Sequence, residues 1–186
     1  MARLEYHSDD SEVAARIRER RGGKLTPLDR MLLHSPAIAD GWNSLLGAIR
    51  ARASLADDVR ELAILRVAAL NGADYEWNAH EPVARRAGMT LEQTEVLREH
   101  AENAGGVLNP GQRAALAYTD AMTRCIEVPD EIFLELRSHF DDQQIVELTA
   151  TIGTYNLVSR FLVALHVGRS DQGAEADTID EDGAVA

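Results

Sequence analysis

The sequence predicts an all-α protein: a helical bundle built around one central helical hairpin. Three observations carry that reading. Apolar residues recur at three- and four-residue spacing along most of the chain. Helix starts and stops (Ser35-Pro36, Asn71-Gly72, Thr90-x-x-Gln93, Asn109-Pro110) punctuate it at helical lengths. No stretch shows the strict alternation of a half-buried strand.

The elements follow in order. Met1 to Asp10 is polar and reads as loosely held, and Ser11 to Arg21 as a helix closed by Gly22-Gly23. Pro27 to His34 is a short helix. Ser35 as N-cap and Pro36 at the first position open another, to about Ala51. Ile38, Trp42, Leu45, Leu46 and Ile49 lie at helical spacing there, and Trp42 is expected in the core rather than against a ligand. Asp57 to Leu70 is apolar almost all round, the mark of a core helix. Asn71-Gly72 stops it and lets the chain reverse into a second helix, Tyr75 to Ala87. The Thr90–Gln93 capping box opens a helix to about Asn103, with Gly105-Gly106 as a loop. Asn109 opens the next, to about Cys125, and Pro129 one carrying Ile132, Phe133 and Leu136. Asp141 opens a further helix with Ile145, Leu148 and Ile152. A break is expected at Gly153, then a last helix, Tyr155 to Val167, with Leu157, Val158, Phe161, Leu162 and Leu165 inward.

A chain of 186 residues, 45% apolar and 27% charged, is most simply one globular unit. Its expected organisation is an N-terminal helix and extension at 1–26, a helical domain at 27–167 and an acidic, disordered tail at 168–186. The net charge of −12 opposes nucleic-acid binding, which needs clustered basic residues. The densest basic run, Arg16 to Arg21, is interrupted by Glu19. No apolar leader follows Met1 and no run is expected to span a membrane, so the expected location is cytoplasmic. A single cysteine, Cys125, excludes an internal disulfide or dithiol pair and reads as inert.

The hairpin carries the candidate chemistry. Glu61 sits among apolar neighbours, with Arg60 and Arg66 read as pointing to other faces. A carboxylate so placed must be paired, hydrogen-bonded or protonated. That makes it either a proton relay or half of a structural ion pair. Glu76 and His80 stand one turn apart, so the carboxylate is placed to orient the imidazole as a general acid or base. The plainer reading is a surface pair. Pro82 should kink or end the helix beside His80 and free the carbonyl of Asn78. Trp77 either walls a pocket there or packs in the core. The histidines are otherwise scattered and no His-x-x-x-His occurs, so no metal site is expected. Glu147 and His166 repeat the nineteen-residue spacing of Glu61 and His80. The turn glycines fall at different offsets, which argues against a duplication.

With its run Arg60-Glu61-Leu62-Ala63, then Asn71-Gly72-Ala73-Asp74-Tyr75-Glu76-Trp77-Asn78-Ala79-His80, then Ala87-Gly88, the hairpin resembles the carboxymuconolactone decarboxylase family, which includes the alkylhydroperoxidase-D-like proteins. The stretch from Asp141 to Leu165 resembles that family's C-terminal hairpin, and the likeness extends over about residues 30 to 167. In the redox branch a Cys-x-x-Cys-x-x-x-His follows the glutamate. Here Ala73 and Glu76 stand at the cysteine positions, so dithiol peroxidase chemistry has no nucleophile. By resemblance to the decarboxylase branch, His80 would be the general acid or base, Glu76 its orienting group and Glu61 a relay behind. Tyr75, Trp77, Asn78, Tyr155, Asn156 and Arg160 would line the substrate pocket. Arg66, Arg85 and Arg160 are the candidates for holding an anionic substrate. The resemblance implies a small-molecule substrate (a cyclic carboxylate or lactone), no cofactor, and a homo-oligomer: a trimer, a dimer or a hexamer. The alternatives are an inert ligand-binding or assembly protein of the same fold and, last, a residual hydroperoxidase.

Overall fold

The computed structural model describes residues 1–7, 10–98 and 101–169, without the side chains of 101–103. Among the described residues there are α-helices and one 3-10 segment, and no strand. They group into two compact units, Met1–Ala53 with Leu162 onward, and Ser54–Phe161.

The first unit holds α1 (Glu12–Arg20), α2 (Pro27–Leu32) and α3 (Pro36–Ala51). Ser11 caps α1, and Gly22 and Gly23, both at positive φ, end it by returning the Gly23 N–H to the Arg18 carbonyl at 2.7 Å. Thr26 and Asp29 form a capping box on α2 that the sequence reading missed, and Arg21 pairs with the same Asp29 carboxylate at 2.8 Å. The leading segment, expected to be loose, is tied down. The Arg3 N–H donates to Leu165 O at 3.0 Å, the His7 N–H to Arg30 O at 3.2 Å, and the Tyr6 hydroxyl accepts from the Gly168 N–H at 3.0 Å. Hydrogen bonds rather than apolar burial hold it, which is why its polarity misled. On α3, Leu46 and Ile49 are buried and Ile38 and Leu45 are exposed, while Trp42, expected in the core, is half-buried.

The second unit is organised around α4 (Asp57–Asn71). Every residue from Val59 to Ala68 is buried, as an all-round apolar helix requires. Gly72, at φ 63°, takes the left-handed position that closes α4 and sends the chain back as α5 (Asp74–Arg86). α6 (Leu91–Arg98) starts with the expected Thr90–Gln93 box. The rest of the helix expected to reach Asn103 falls partly outside the described residues, and Gly105-Gly106 belongs to a 3-10 turn, Ala101–Gly106, rather than an open loop. α7 (Pro110–Cys125) carries the Asn109–Gln112 box, and α8 (Asp130–Arg137) follows Pro129.

The last helix corrects the sequence reading. α9 runs unbroken from Asp142 to Leu165, through Gly153. One glycine costs a long, well-packed helix only about 1 kcal/mol, too little to break it. Leu157, expected inward, is exposed, whereas Ile152, Tyr155, Val158 and Leu162 are buried. α9 is also long and apolar enough to cross a membrane, against the expectation that no run is, but half of that window is buried within the protein. Glu147 has a different role from Glu61. Its Oε2 accepts the N–H groups of Ser54 (2.9 Å) and Leu55 (2.8 Å) just ahead of α4, whose N-cap, Ala56, has no capping side chain. The expected tail lies, from residue 170 on, outside the described residues.

Candidate functional site

Three charged side chains are buried on α4, and each finds a partner, as burial demands. Arg66 makes a two-pronged pair with Asp120 on α7, one arm at 2.7 Å, and donates to Leu97 O at 2.8 Å. It is an internal strut, so it is not the anion-binding arginine the sequence offered. Arg60, read as pointing elsewhere, holds Asp57 at 2.8 Å and approaches Glu61 Oε1 at 3.4 Å. Glu61, 1% exposed, accepts at Oε2 from Nδ1 of His80 across the hairpin at 2.7 Å.

His80 is thereby fixed at both nitrogens. Its Nε2 lies 3.2 Å from the hydroxyl of Tyr155 on α9, and the two rings meet edge to face with centroids 5.1 Å apart. With Glu61 ionised, Nδ1 must donate. A neutral ring then presents the Nε2 lone pair to the Tyr155 hydroxyl, which donates. The result is a hydrogen-bonded line, Glu61–His80–Tyr155, that joins α4, α5 and α9. His80 is 4% exposed and Tyr155 fully buried.

The expected Glu76-to-His80 arrangement is corrected here. The carboxylate at Nδ1 is Glu61, from the facing helix. Glu76, buried one turn before His80, receives the Ser159 hydroxyl, with its two oxygens at 3.0 and 3.1 Å. An i,i+4 contact contributes a few tenths of a kcal/mol, and a buried partner held across a packed hairpin outweighs it. Ser159 also lies 2.8 Å from Tyr155 O, so one hydroxyl proton serves several acceptors. The sequence reading missed Ser159, although its position one turn after Tyr155 puts both on one face of α9.

The proposed pocket residues divide. Asn156 is committed to structure: Oδ1 accepts from Asn71 (3.1 Å) and Arg160 (2.7 Å), and Nδ2 donates to Thr123 (3.1 Å) and Ile152 O (3.1 Å). Arg160 is exposed and is held by Asn156, and Arg85 by Met89 O at 2.7 Å. Asn78 is exposed and Tyr75 half-buried. α5 does not end at Pro82 but runs through it, and the Asn78 carbonyl it releases lies on a solvated face. Trp77 is buried, with the Arg98 guanidinium 4.2 Å from its ring centre, and it does wall a recess. That recess is lined by Ala68, Ala69, Gly72, Asp74, Trp77 and Arg98, not by the three groups of the buried line. Among the described residues no cluster of three or more His, Cys, Asp or Glu is arranged to hold a metal ion. Cys125 is exposed at the end of α7, remote in sequence from the hairpin.

Comparison with known proteins places this geometry. Residues 36–123 match the carboxymuconolactone decarboxylase family. The uncharacterised protein YdfG of Bacillus subtilis is 31% identical over 116 residues, which cover 61% of this chain and 78% of YdfG. A crystal structure from Agrobacterium tumefaciens, a protein of unknown function referred to the antioxidant defence protein AhpD, superposes with a TM-score of 0.68 at 27% identity, covering 73% of this chain and 92% of that one. The debrominase Bmp8, in complex with 2,3,4-tribromopyrrole, shares the fold with a TM-score of 0.73 at 18% identity, over 90% and 92% of the two chains. The likeness takes in the central hairpin with Glu61, Glu76 and His80, and the chain belongs to the carboxymuconolactone decarboxylase family.

Proposed function

We propose that this protein is a cofactor-free acid–base enzyme of the decarboxylase or isomerase type, acting on a small cyclic carboxylate or lactone through His80. The observation that supports the reading is the hydrogen-bonded line Glu61–His80–Tyr155, buried in the family's hairpin. Its parts suit proton transfer. Glu61 fixes the tautomer and stabilises the imidazolium when it forms. The exchangeable proton leaves through Nε2, because Nδ1 is engaged. In a decarboxylation the carbon–carbon bond breaks, CO2 departs, the electron pair remains on an enolate, and Nε2 returns a proton to carbon. In a double-bond shift the same nitrogen removes a proton from one carbon and delivers it to another. The Tyr155 hydroxyl must give way to substrate or carry the proton itself. Glu76 and Ser159 hold the α5 and α9 sides of the site together. A homo-oligomeric state, as trimer, dimer or hexamer, belongs to this reading and is measured by light scattering.

Burial favours a second reading. With His80 4% exposed and both nitrogens engaged, the same line serves as an internal tie in an inert ligand-binding or assembly protein. The deciding experiment follows 4-carboxymuconolactone and related lactone acids by ultraviolet absorbance, comparing wild type with His80→Gln, both shown folded by circular dichroism. Turnover by wild type that falls at least a hundredfold in the variant supports the enzyme. Equal rates in the two exclude His80 as the acid–base group. Hydroperoxidase activity is expected to be at background, because Ala73 and Glu76 leave no thiolate in the hairpin.

A further inference from the structure

The recess beside Trp77 carries an inference that does not depend on the catalytic reading. It measures about 180 Å³, and its lining is chemically divided. Ala68, Ala69 and Gly72 supply small side chains or none, so a ligand can come close to the backbone of α4. Trp77 is an apolar wall. Arg98 and Asp74 bring opposite charges. The Arg98 guanidinium rests on the indole at 4.2 Å, which orients the planar group while leaving its N–H edge free to donate. Among the described residues neither Arg98 nor Asp74 has an ion-pair partner, in contrast to Arg60, Arg66 and Arg85. α5 starts at Asp74 behind Ala73, which makes no side-chain cap, so the positive end of the helix adds to the field at the rim.

We propose that this recess binds a small hydroxylated monocarboxylate. Arg98 receives the carboxylate through two parallel N–H donors, Asp74 accepts the hydroxyl proton, and Trp77 covers the carbon skeleton. The space equals that of about six waters, at roughly 30 Å³ each, which sets the size of the ligand. Trp77 lies three residues before His80 on α5, a rise of about 4.5 Å along the helix axis.

The test is a titration of Trp77 fluorescence in a Trp42→Phe background, with 3-hydroxybutyrate as probe and with butyrate and 3-hydroxybutyramide as controls. 3-Hydroxybutyrate is expected to saturate in the millimolar range or below. The amide, which lacks the charge, should bind at least about tenfold more weakly, and butyrate severalfold more weakly. Arg98→Gln, at an exposed site where folding is not at stake, should weaken 3-hydroxybutyrate about tenfold, with partial recovery in Arg98→Lys. Asp74→Ala, which removes the acceptor, should abolish the advantage over butyrate. Failure of 3-hydroxybutyrate to saturate, equal binding of acid and amide, or an unchanged affinity in Arg98→Gln would each overturn the assignment. None of these readouts involves turnover, so the proposal and the catalytic reading fail separately.

Discussion

A double-mutant cycle on Glu61 and His80 probes the buried line directly. Glu61→Gln keeps the shape and leaves an amide oxygen able to accept from Nδ1, but removes the charge. His80→Asn keeps a donor and removes the ring. The wild-type contact is 2.7 Å long, between side chains 1% and 6% exposed, so solvent screens it little. A hydrogen bond to a charged group contributes about 1.5–3 kcal/mol, and loss of one member of a buried pair costs about 3–5 kcal/mol. Arg60 sets which value applies. Its Nε lies 3.4 Å from Glu61 but its Nη1 is held by Asp57 at 2.8 Å, so Glu61→Gln leaves no unpaired cation, and about 2–3 kcal/mol is expected. His80→Asn strands the Glu61 carboxylate and the Tyr155 hydroxyl, so about 3–4 kcal/mol is expected. The coupling energy should be about 1.5 kcal/mol or more, since each substitution disrupts the same charge-assisted contact. Urea unfolding followed by far-ultraviolet circular dichroism, at one protein concentration, measures all four corners. A coupling below about 0.5 kcal/mol would refute the argument, because such near-additive behaviour belongs to residues that are not in contact.

Other expectations concern the frame. Glu147 has its carboxyl held below the usual value, chiefly by the amide of Gln143, with burial opposing it and the hydrogen bonds from Ser54 and Leu55 adding to it. Its contribution is therefore present above about pH 4.5 and fades as pH falls through the lowered native value. Glu147→Gln should destabilise at neutral pH by about 0.5–2 kcal/mol, as loss of a cap does, and the gap to wild type should close in acid-unfolding curves. Ile126 is 88% exposed and sits at φ 66°, with the Glu127 N–H donating to Cys125 O at 2.8 Å in a three-residue turn. Ile126→Gly should raise the melting free energy by about 1 kcal/mol, and a lower melting temperature would count against the strain argument. Leu62, fully buried at the centre of α4, should cost about 2–5 kcal/mol as Leu62→Ala in the same urea assay.

Much of the fold was legible because its signals are local. The Asn71-Gly72 stop, the Thr90 and Asn109 boxes and the apolar ring of α4 are written in consecutive residues, and each stands where it was read. Gly153 misled for the same reason: a local breaker signal was weighed without the packing of Ile152, Tyr155 and Val158 around it. The site was half legible. Glu61 and His80 could be named, since a carboxylate and an imidazole in an apolar hairpin need an explanation. Which carboxylate would meet the ring could not be named, because spacing within a helix is visible in a sequence and the distance between helices is not. Tyr155 meeting the ring, and Ser159 meeting Glu76, depend on the rotation of α9, set by tertiary packing. Arg98 offered no local signal at all. It stands out only once Trp77 is beneath it and Arg66, Arg85 and Arg160, the arginines offered for an anion, are seen to be engaged.

The unbroken course of α9 has a consequence for how this protein can vary. Between Glu147 and Ser159 one helix sets the capping carboxylate, the Tyr155 hydroxyl and the Ser159 hydroxyl on their targets in a single phase. Each added residue turns everything beyond it by about 100° and shifts it by about 1.5 Å. An insertion or deletion between Glu147 and Tyr155 therefore cannot be absorbed locally. It would either break α9 or detach the cap from the hydroxyls, and descendants of this chain should change length only outside that interval.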